Sequence, residues 1–248
     1  MIRIITGDCR AVLAGMPADS VQCCVTSPPY FGLRDYDAAG QIGLEETPDA
    51  FVAELVAVFR EVRRVLRPDG TLWLNIGDSY AGSWGAQGKR ESTSNRTDNT
   101  RNHIRNAPKR GSRTGAIRQA GLKPKDLIGI PWMVAFALRA DGWYLRSESI
   151  WSKPNPMLSS AKDRPTVAHE QVFLLTKRGR YFYDAKAIAE PATGRAPGNT
   201  RPNREPGKRP GENANLRGSL HKIEPTETRN RHSVWTMASD GPAAGGDH

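Results

Sequence analysis

The sequence predicts an α/β fold with a mostly parallel sheet, and three observations carry that expectation. An apolar run from Val21 to Val25 ends abruptly in the polar, proline-containing turn Thr26-Ser27-Pro28-Pro29-Tyr30-Phe31. A helical pattern follows, with Phe51, Leu55, Val58, Phe59, Val62 and Leu66 recurring three and four residues apart. A second apolar strand, Thr71 to Ile76, comes directly after the turn Pro68-Asp69-Gly70. Strand, helix, strand at this spacing is a crossover unit, which joins parallel strands and lays its helix over the sheet.

Each element has a local reason. Ile2 to Thr6 is a short β-branched run that reads as a strand ending at Gly7-Asp8, and Arg10 to Met16 is sized for one or two helical turns before Pro17. Thr47 is suited to cap the long helix, with Pro48 at its first position, where the missing N–H costs nothing. A further helix is predicted from about Lys125 through Leu138, with Gly142 as its stop. Strands follow at Tyr144 to Trp151 and Gln171 to Thr176, flanking Pro154 to Arg164 as an antiparallel excursion. Trp132, Trp143, Tyr144 and Trp151 read as core, and Cys9, Cys23 and Cys24 as small buried hydrophobes. In open sheets of this kind ligands sit beyond the carboxyl ends of the strands, where Ser27 to Tyr30 and Gly77-Asp78-Ser79-Tyr80 both lie.

Bulk properties narrow the function. The 248 residues suit one sizeable core with a small appendage. Lys and Arg number 36 against 26 Asp and Glu, a formal charge of +10, which favours a polyanionic partner. No apolar run reaches the ~18 residues a membrane span needs, and Met1-Ile2-Arg3-Ile4-Ile5 has no signal-peptide pattern, so a cytoplasmic protein is expected. The three cysteines form neither a disulfide framework nor a paired zinc motif, and no metal site is expected.

The positive charge is concentrated. Between Gly82 and Lys125 stand Lys89, Arg90, Arg105, Lys109, Arg110 and Arg113 among others, with few acids and almost no apolar residues. A second basic, Pro- and Gly-rich stretch runs from Thr193 to Arg231. Neither composition builds a core, so both are expected to stay mobile until bound and to contact phosphates. The implied organisation is a core over 1–190 with a basic insertion at about 83–125, a target-recognition or linker segment over 191–231, and a tail over 232–248.

The corner at Ser27 to Tyr30 carries the chemistry. Pro28 and Pro29 fix the backbone and remove donors, leaving carbonyl oxygens without competing N–H groups. Ser27 adds a hydroxyl acceptor, Tyr30 a flat ring and Phe31 apolar support, an arrangement suited to a planar ring with an amino group, such as a nucleobase.

This corner resembles the (D/N/S)-P-P-(Y/F) motif of the amino-group DNA methyltransferases, which methylate N6 of adenine or N4 of cytosine. Gly7-Asp8, Leu66 through Asn75, Trp151-Ser152-Lys153-Pro154-Asn155 and Arg164 through Glu170 resemble the same family in the same order. The resemblance implies a Rossmann-like fold, S-adenosylmethionine as methyl donor, and double-stranded DNA from which the target base is flipped. It implies catalysis at Ser27, Pro28, Pro29 and Tyr30, with Ser27 Oγ and the Pro28 carbonyl holding the amine and Tyr30 stacking on the base. A serine preceded by Thr26 favours cytosine N4 over adenine N6. No Pro-Cys dipeptide is present, which argues against thiolate attack on the ring.

Asp8, Thr26 and Asp78 are the candidate cofactor contacts, the two carboxylates from strand ends, although Asp8 and Asp78 read equally as helix N-caps. Lys153 and Asn155 are candidates for the DNA backbone, against the plain reading of a surface loop. His169 with Glu170 reads as a structural hydrogen-bonding pair. The family's Phe-x-Gly-x-Gly cofactor loop is missing, so the sheet is expected to be partial, with an exposed edge and apolar face. Three explanations follow: a fragment of an interrupted gene, one half of a split enzyme whose second chain supplies the loop, or a DNA-binding remnant. A restriction-modification or phage setting is expected, with a non-catalytic DNA binder and an RNA or protein-glutamine methyltransferase as the competing readings.

Overall fold

The structure is a computed structural model and describes residues 2–81, 121–156, 159–192 and 228–237. Strand β1 (Val21–Thr26) leads to helix α2 (Pro48–Val65) and strand β2 (Leu66–Ile76), preceded by the short helix α1 (Cys9–Ala14). Helix α3 (Ile130–Ala140), strand β3 (Tyr144–Ser152) and strand β4 (His169–Thr176) follow, then the short strands β5 (Glu190–Pro191), β6 (Thr228–Arg229) and β7 (Val234–Thr236). The main sheet has the order β1-β2-β4-β3-β7. β1 runs parallel to β2 through the predicted crossover, β4 is antiparallel to both β2 and β3, and β7 is parallel to β3. The described residues fall into two compact units, within Met1–Phe182 plus Ser233–His248 and within Tyr183–His232, the latter holding the β5–β6 pair.

The α2 signals act as written. Thr47 accepts from the Ala50 N–H at 3.1 Å, Pro48 occupies the first turn, and Phe51, Leu55, Val58, Phe59, Val62 and Val65 are buried. Alternate residues Leu72, Leu74 and Ile76 of β2 are fully buried with Phe173 and Leu175 of β4 and Ile130, Val134 and Leu138 of α3. Trp73 points to the other face and packs on Trp235 of β7 at 5.8 Å between ring centroids. The Pro68-Asp69-Gly70 turn is a bulge inside β2: Val21 pairs with Leu66 but Cys23 with Thr71. Gly70 is needed there, since a Cβ would lie 3.0 Å from the Arg67 carbonyl and 3.1 Å from that of Gln22.

Several expectations are corrected. Ile2 to Thr6 forms no strand, and Ile2 and Ile4 are 93% and 87% exposed. The segment does not add to the sheet, and β1 is left as its edge. α3 begins at Ile130 and not near Lys125, because Gly129 (φ 84°) and Lys125 (φ 76°) are left-handed and Pro131 belongs in a first turn. Trp143 is core, but Trp132 and Tyr144 are 38% and 51% exposed. Cys9 and Cys23 are exposed and only Cys24 is partly buried, since α1 buries no residue and β1 has an open edge. Among the described residues no helix is long and apolar enough to cross a membrane.

Candidate active site

The Ser27-Pro28-Pro29-Tyr30 corner leaves the end of β1 beside the end of β2, as the crossover requires. Its residues Ser27 to Pro29 line two clefts. The first, 340 Å³, is closed by Tyr30, Leu33, Arg34 and Tyr36. The second, 480 Å³, lies along the β1 edge between α1 and α2 and is lined by Ile5, Val25, Leu55 and Phe59 among other uncharged residues.

Tyr30 is anchored deeply. Its ring lies against Gly77, where a Cβ would come within 2.5 Å of Cε2. Its hydroxyl reaches Glu170 Oε2 at 2.9 Å and Asn75 Oδ1 at 3.0 Å, and Ser27 Oγ donates to it at 3.4 Å. Asn75 Nδ2 donates to the Gln171 carbonyl at 3.2 Å, which turns its oxygen toward Tyr30. Lys153 Nζ donates to Glu170 Oε1. Burial, reinforced by the Glu170 carboxylate, pushes the Tyr30 phenol up to about 12. Burial works to raise the Glu170 carboxyl, but Lys153, Tyr30 and Asn75 together outweigh it and hold it below its ordinary value.

The other predicted site residues sort differently. Lys153, expected at the DNA backbone, is turned inward onto Glu170 and over the Trp151 ring at 4.8 Å, because a half-buried carboxylate needs its cation. Asn155 is exposed in a bend. Asp78 is engaged elsewhere: Oδ1 accepts from Ser79 N at 2.8 Å and from Gly129 N and Ile130 N at 3.0 Å each. It caps α3 from a distance, because Gly129 at the N-cap has no side chain to do so. Asp8 is the N-cap of α1, and the Arg10 guanidinium bonded to it lowers its carboxyl to about 2. Thr26 ends β1 opposite Leu74 and lines the larger cleft. Lys89, Arg90, Arg105, Lys109, Arg110 and Arg113 lie outside the described residues. Glu170 and Asn75, neither assigned to the site by sequence, are the groups that hold the motif tyrosine.

An α/β core with a proline-walled acceptor corner at adjacent strand ends defines the amino-group methyltransferase class. The sequence profile described as DNA methylase, of the N6/N4 amino-methyltransferases, matches residues 21–237, and the chain belongs to this family. The Type II methyltransferase M.XycI of Xanthomonas campestris pv. cyanopsidis is 50% identical over 201 residues, covering 80% of this chain and 62% of that protein. M.SmaI of Serratia marcescens is 47% identical over 191 residues, covering 77% and 61%. The chain thus spans about three fifths of the length of these curated relatives. The PvuII DNA methyltransferase, described as cytosine-N4-specific, shares the fold with TM-score 0.52 at 13% identity, over 96% of this chain and 57% of that one.

S-adenosylmethionine is the methyl donor that membership of this family implies. The described residues fit it only in part. The larger cleft offers apolar walls and the small polar groups of Thr26, Ser27, Cys9 and Cys24, but no charged side chain for an amino-acid zwitterion. Asp8 and Asp78, the candidate carboxylates, are committed to Arg10 and to the α3 N-terminus.

Proposed function

We propose that this chain is the base-amine half of a DNA methyltransferase site, methylating an exocyclic amine of a base flipped from double-stranded DNA. The observation that carries this reading is the position of Ser27 to Pro29 as a shared wall between two clefts. In-line transfer requires the two clefts to meet at these shared residues, so that the amine and the sulfur-bound methyl come within about 3–3.5 Å of each other. S-adenosylmethionine supplies an electrophilic methyl group on sulfur.

The residues of this chain handle the base. An exocyclic amine is a weak nucleophile, because its lone pair is shared with the ring. Ser27 Oγ and the Pro28 carbonyl accept its two N–H bonds and favour the pyramidal nitrogen that attacks. Tyr36, 56% exposed on the smaller cleft, offers an aromatic surface to the flipped base in addition to Tyr30. The serine at position 27 favours cytosine N4 over adenine N6. Lys89, Arg90, Arg105, Lys109, Arg110, Arg113 and Asn155 carry the DNA contacts, in the setting of a cytoplasmic restriction-modification enzyme.

Incubating the chain with methyl-labelled S-adenosylmethionine and duplex DNA, then digesting to nucleosides, tests this directly. N4-methylcytosine is the expected product. N6-methyladenine would overturn the choice of base, and an RNA or protein product the choice of substrate.

A second reading, one half of a two-chain enzyme, is favoured by the uncharged lining of the larger cleft. It predicts DNA binding without calorimetric heat from S-adenosylmethionine alone. Cofactor binding by the isolated chain would exclude it.

A further inference from the structure

Ser27, Tyr30, Asn75, Glu170 and Lys153 come from four separate parts of the chain and meet behind the acceptor corner. Their hydrogen-bonding capacities leave few arrangements. Lysine donates only, and an ionised carboxylate accepts only. Lys153 Nζ occupies Glu170 Oε1. Glu170 Oε2, 2.9 Å from the Tyr30 oxygen, therefore receives the phenolic hydrogen. Asn75 Oδ1, at 3.0 Å on the same oxygen, is a second pure acceptor. With both of these neighbours accepting, the Tyr30 oxygen cannot donate toward Ser27. It has a lone pair to offer there, and the Ser27 hydroxyl donates to it.

We infer that Lys153 and Glu170 are positioning residues that set the direction of this hydrogen-bond chain, so that Ser27 presents lone pairs and not its hydrogen to the substrate amine. The polarity runs from amine to Ser27, to Tyr30, to Glu170, with Lys153 holding the carboxylate ionised. The chain only orients these groups; the proton that the nitrogen must lose once it carries the methyl group leaves to solvent. Reversing one link would turn the Ser27 hydrogen outward, where it would oppose an N–H of the base. The Ser27–Tyr30 contact is long at 3.4 Å, as catalytic hydrogen bonds often are before substrate tightens them. Its direction matters here more than its strength. Tyr30 thereby gains a second duty beyond lining the base cleft, which explains why its hydroxyl is tied inward.

This inference rests on the methyltransferase reading, and the experiment separates the two. The variants are Tyr30→Phe, Glu170→Gln and the double variant, each checked by thermal melting. Both single changes should lower kcat for methyl transfer roughly 10- to 100-fold, the scale of lost positioning, with KM for DNA changed by less than about threefold. The double variant should be no worse than the poorer single one, because both break the same chain. Multiplicative losses in the double variant, or full activity in Glu170→Gln, would overturn the inference. Tyrosine Cζ carbon NMR gives a reading that needs no turnover: the Tyr30 resonance should titrate at lower pH in Glu170→Gln than in the parent chain. An unchanged titration would refute the Tyr30–Glu170 link. If the parent chain alone transfers no methyl group, the reading of it as a self-sufficient enzyme fails, while this titration still tests the Tyr30–Glu170 link on which the inference stands.

Discussion

Gly77→Ala probes the anchoring of the motif most directly. Gly77 follows β2 and its φ lies outside the left-handed region, so alanine meets no backbone penalty there. The penalty is steric: the new Cβ would sit 2.5 Å from Tyr30 Cε2, 2.9 Å from Cδ2 and 3.3 Å from Cζ. Carbon atoms pack comfortably at about 3.5–4.0 Å, so the ring must retreat by about 1 Å. Its oxygen lies 2.9 Å from Glu170 Oε2 and 3.0 Å from Asn75 Oδ1, with one hydrogen between these two acceptors, and such a retreat breaks or distorts that hydrogen bond. Overpacking of this kind costs about 1–3 kcal/mol. At about 2–4 °C per kcal/mol for a domain of this size, Tm should fall by roughly 2–12 °C. Methyl transfer should fall further, on the order of 100-fold, because the displaced ring carries the acceptor corner with it. Circular-dichroism melting and labelled-methyl transfer, assayed well below the new Tm, measure the two effects. In a Tyr30→Ala background the same Gly77→Ala change should cost almost no stability. A Gly77→Ala variant with parental Tm and activity, or one equally destabilised without the Tyr30 ring, would refute this packing account.

Asp78→Ala should destabilise by about 1–2 kcal/mol in urea unfolding through loss of the α3 cap, and Asp78→Asn by less, since the amide keeps one acceptor oxygen. Equal stability of all three proteins would show that the cap contributes nothing. The Glu170 carboxyl is held below its ordinary 4.5 by Lys153, Tyr30 and Asn75 acting against burial. The native state therefore binds fewer protons than the unfolded chain in this range. The added stability is present above about pH 4.5 and is lost as pH falls through the lower native value. The Tm advantage of the parent over Glu170→Gln should shrink between pH 6 and pH 3, and a constant gap would count against it. Val25, 78% exposed on the open β1 edge, makes that edge adhesive. Val25→Lys should leave Tm nearly unchanged and reduce concentration-dependent association in light scattering, whereas unaltered association would place the sticky surface elsewhere.

Local signals made the Ser27 to Tyr30 corner and its supporting helix legible. Thr47-Pro48 specifies a helix start within four residues, and two prolines after an apolar run specify where a strand stops, so neither needs knowledge of the fold. The supporting network is invisible on that scale. Tyr30 and Glu170 are 140 residues apart, and their meeting depends on β4 lying antiparallel beside β2. With Asn75 opposite Val172 and Ile76 opposite Gln171, Glu170 must emerge beside Gly77, against the Tyr30 ring. The β3–β4 register places Ser152 opposite His169, which brings Lys153 to the same end. The hairpin was readable from sequence; its insertion next to β2 was not.

Asp78 reads from sequence as either a cofactor contact or a helix cap, and the residues opening α3 decide between them. Gly129-Ile130-Pro131 opens a helix with no Ser, Thr, Asp or Asn at its N-cap, and the donors of that first turn need an acceptor from somewhere. A carboxylate at a neighbouring strand end is the natural source, and Asp78 takes the task. Sequence places acidic residues at the mouth of a crevice readily enough. Which of them stays free for a ligand depends on the donors that the fold leaves unsatisfied around it, and here those donors claim Asp8 and Asp78 while Lys153 and Tyr30 claim Glu170. In the proposed site the base side is therefore built from acceptors already held in direction, and charged contacts for the methyl donor must come from residues other than these.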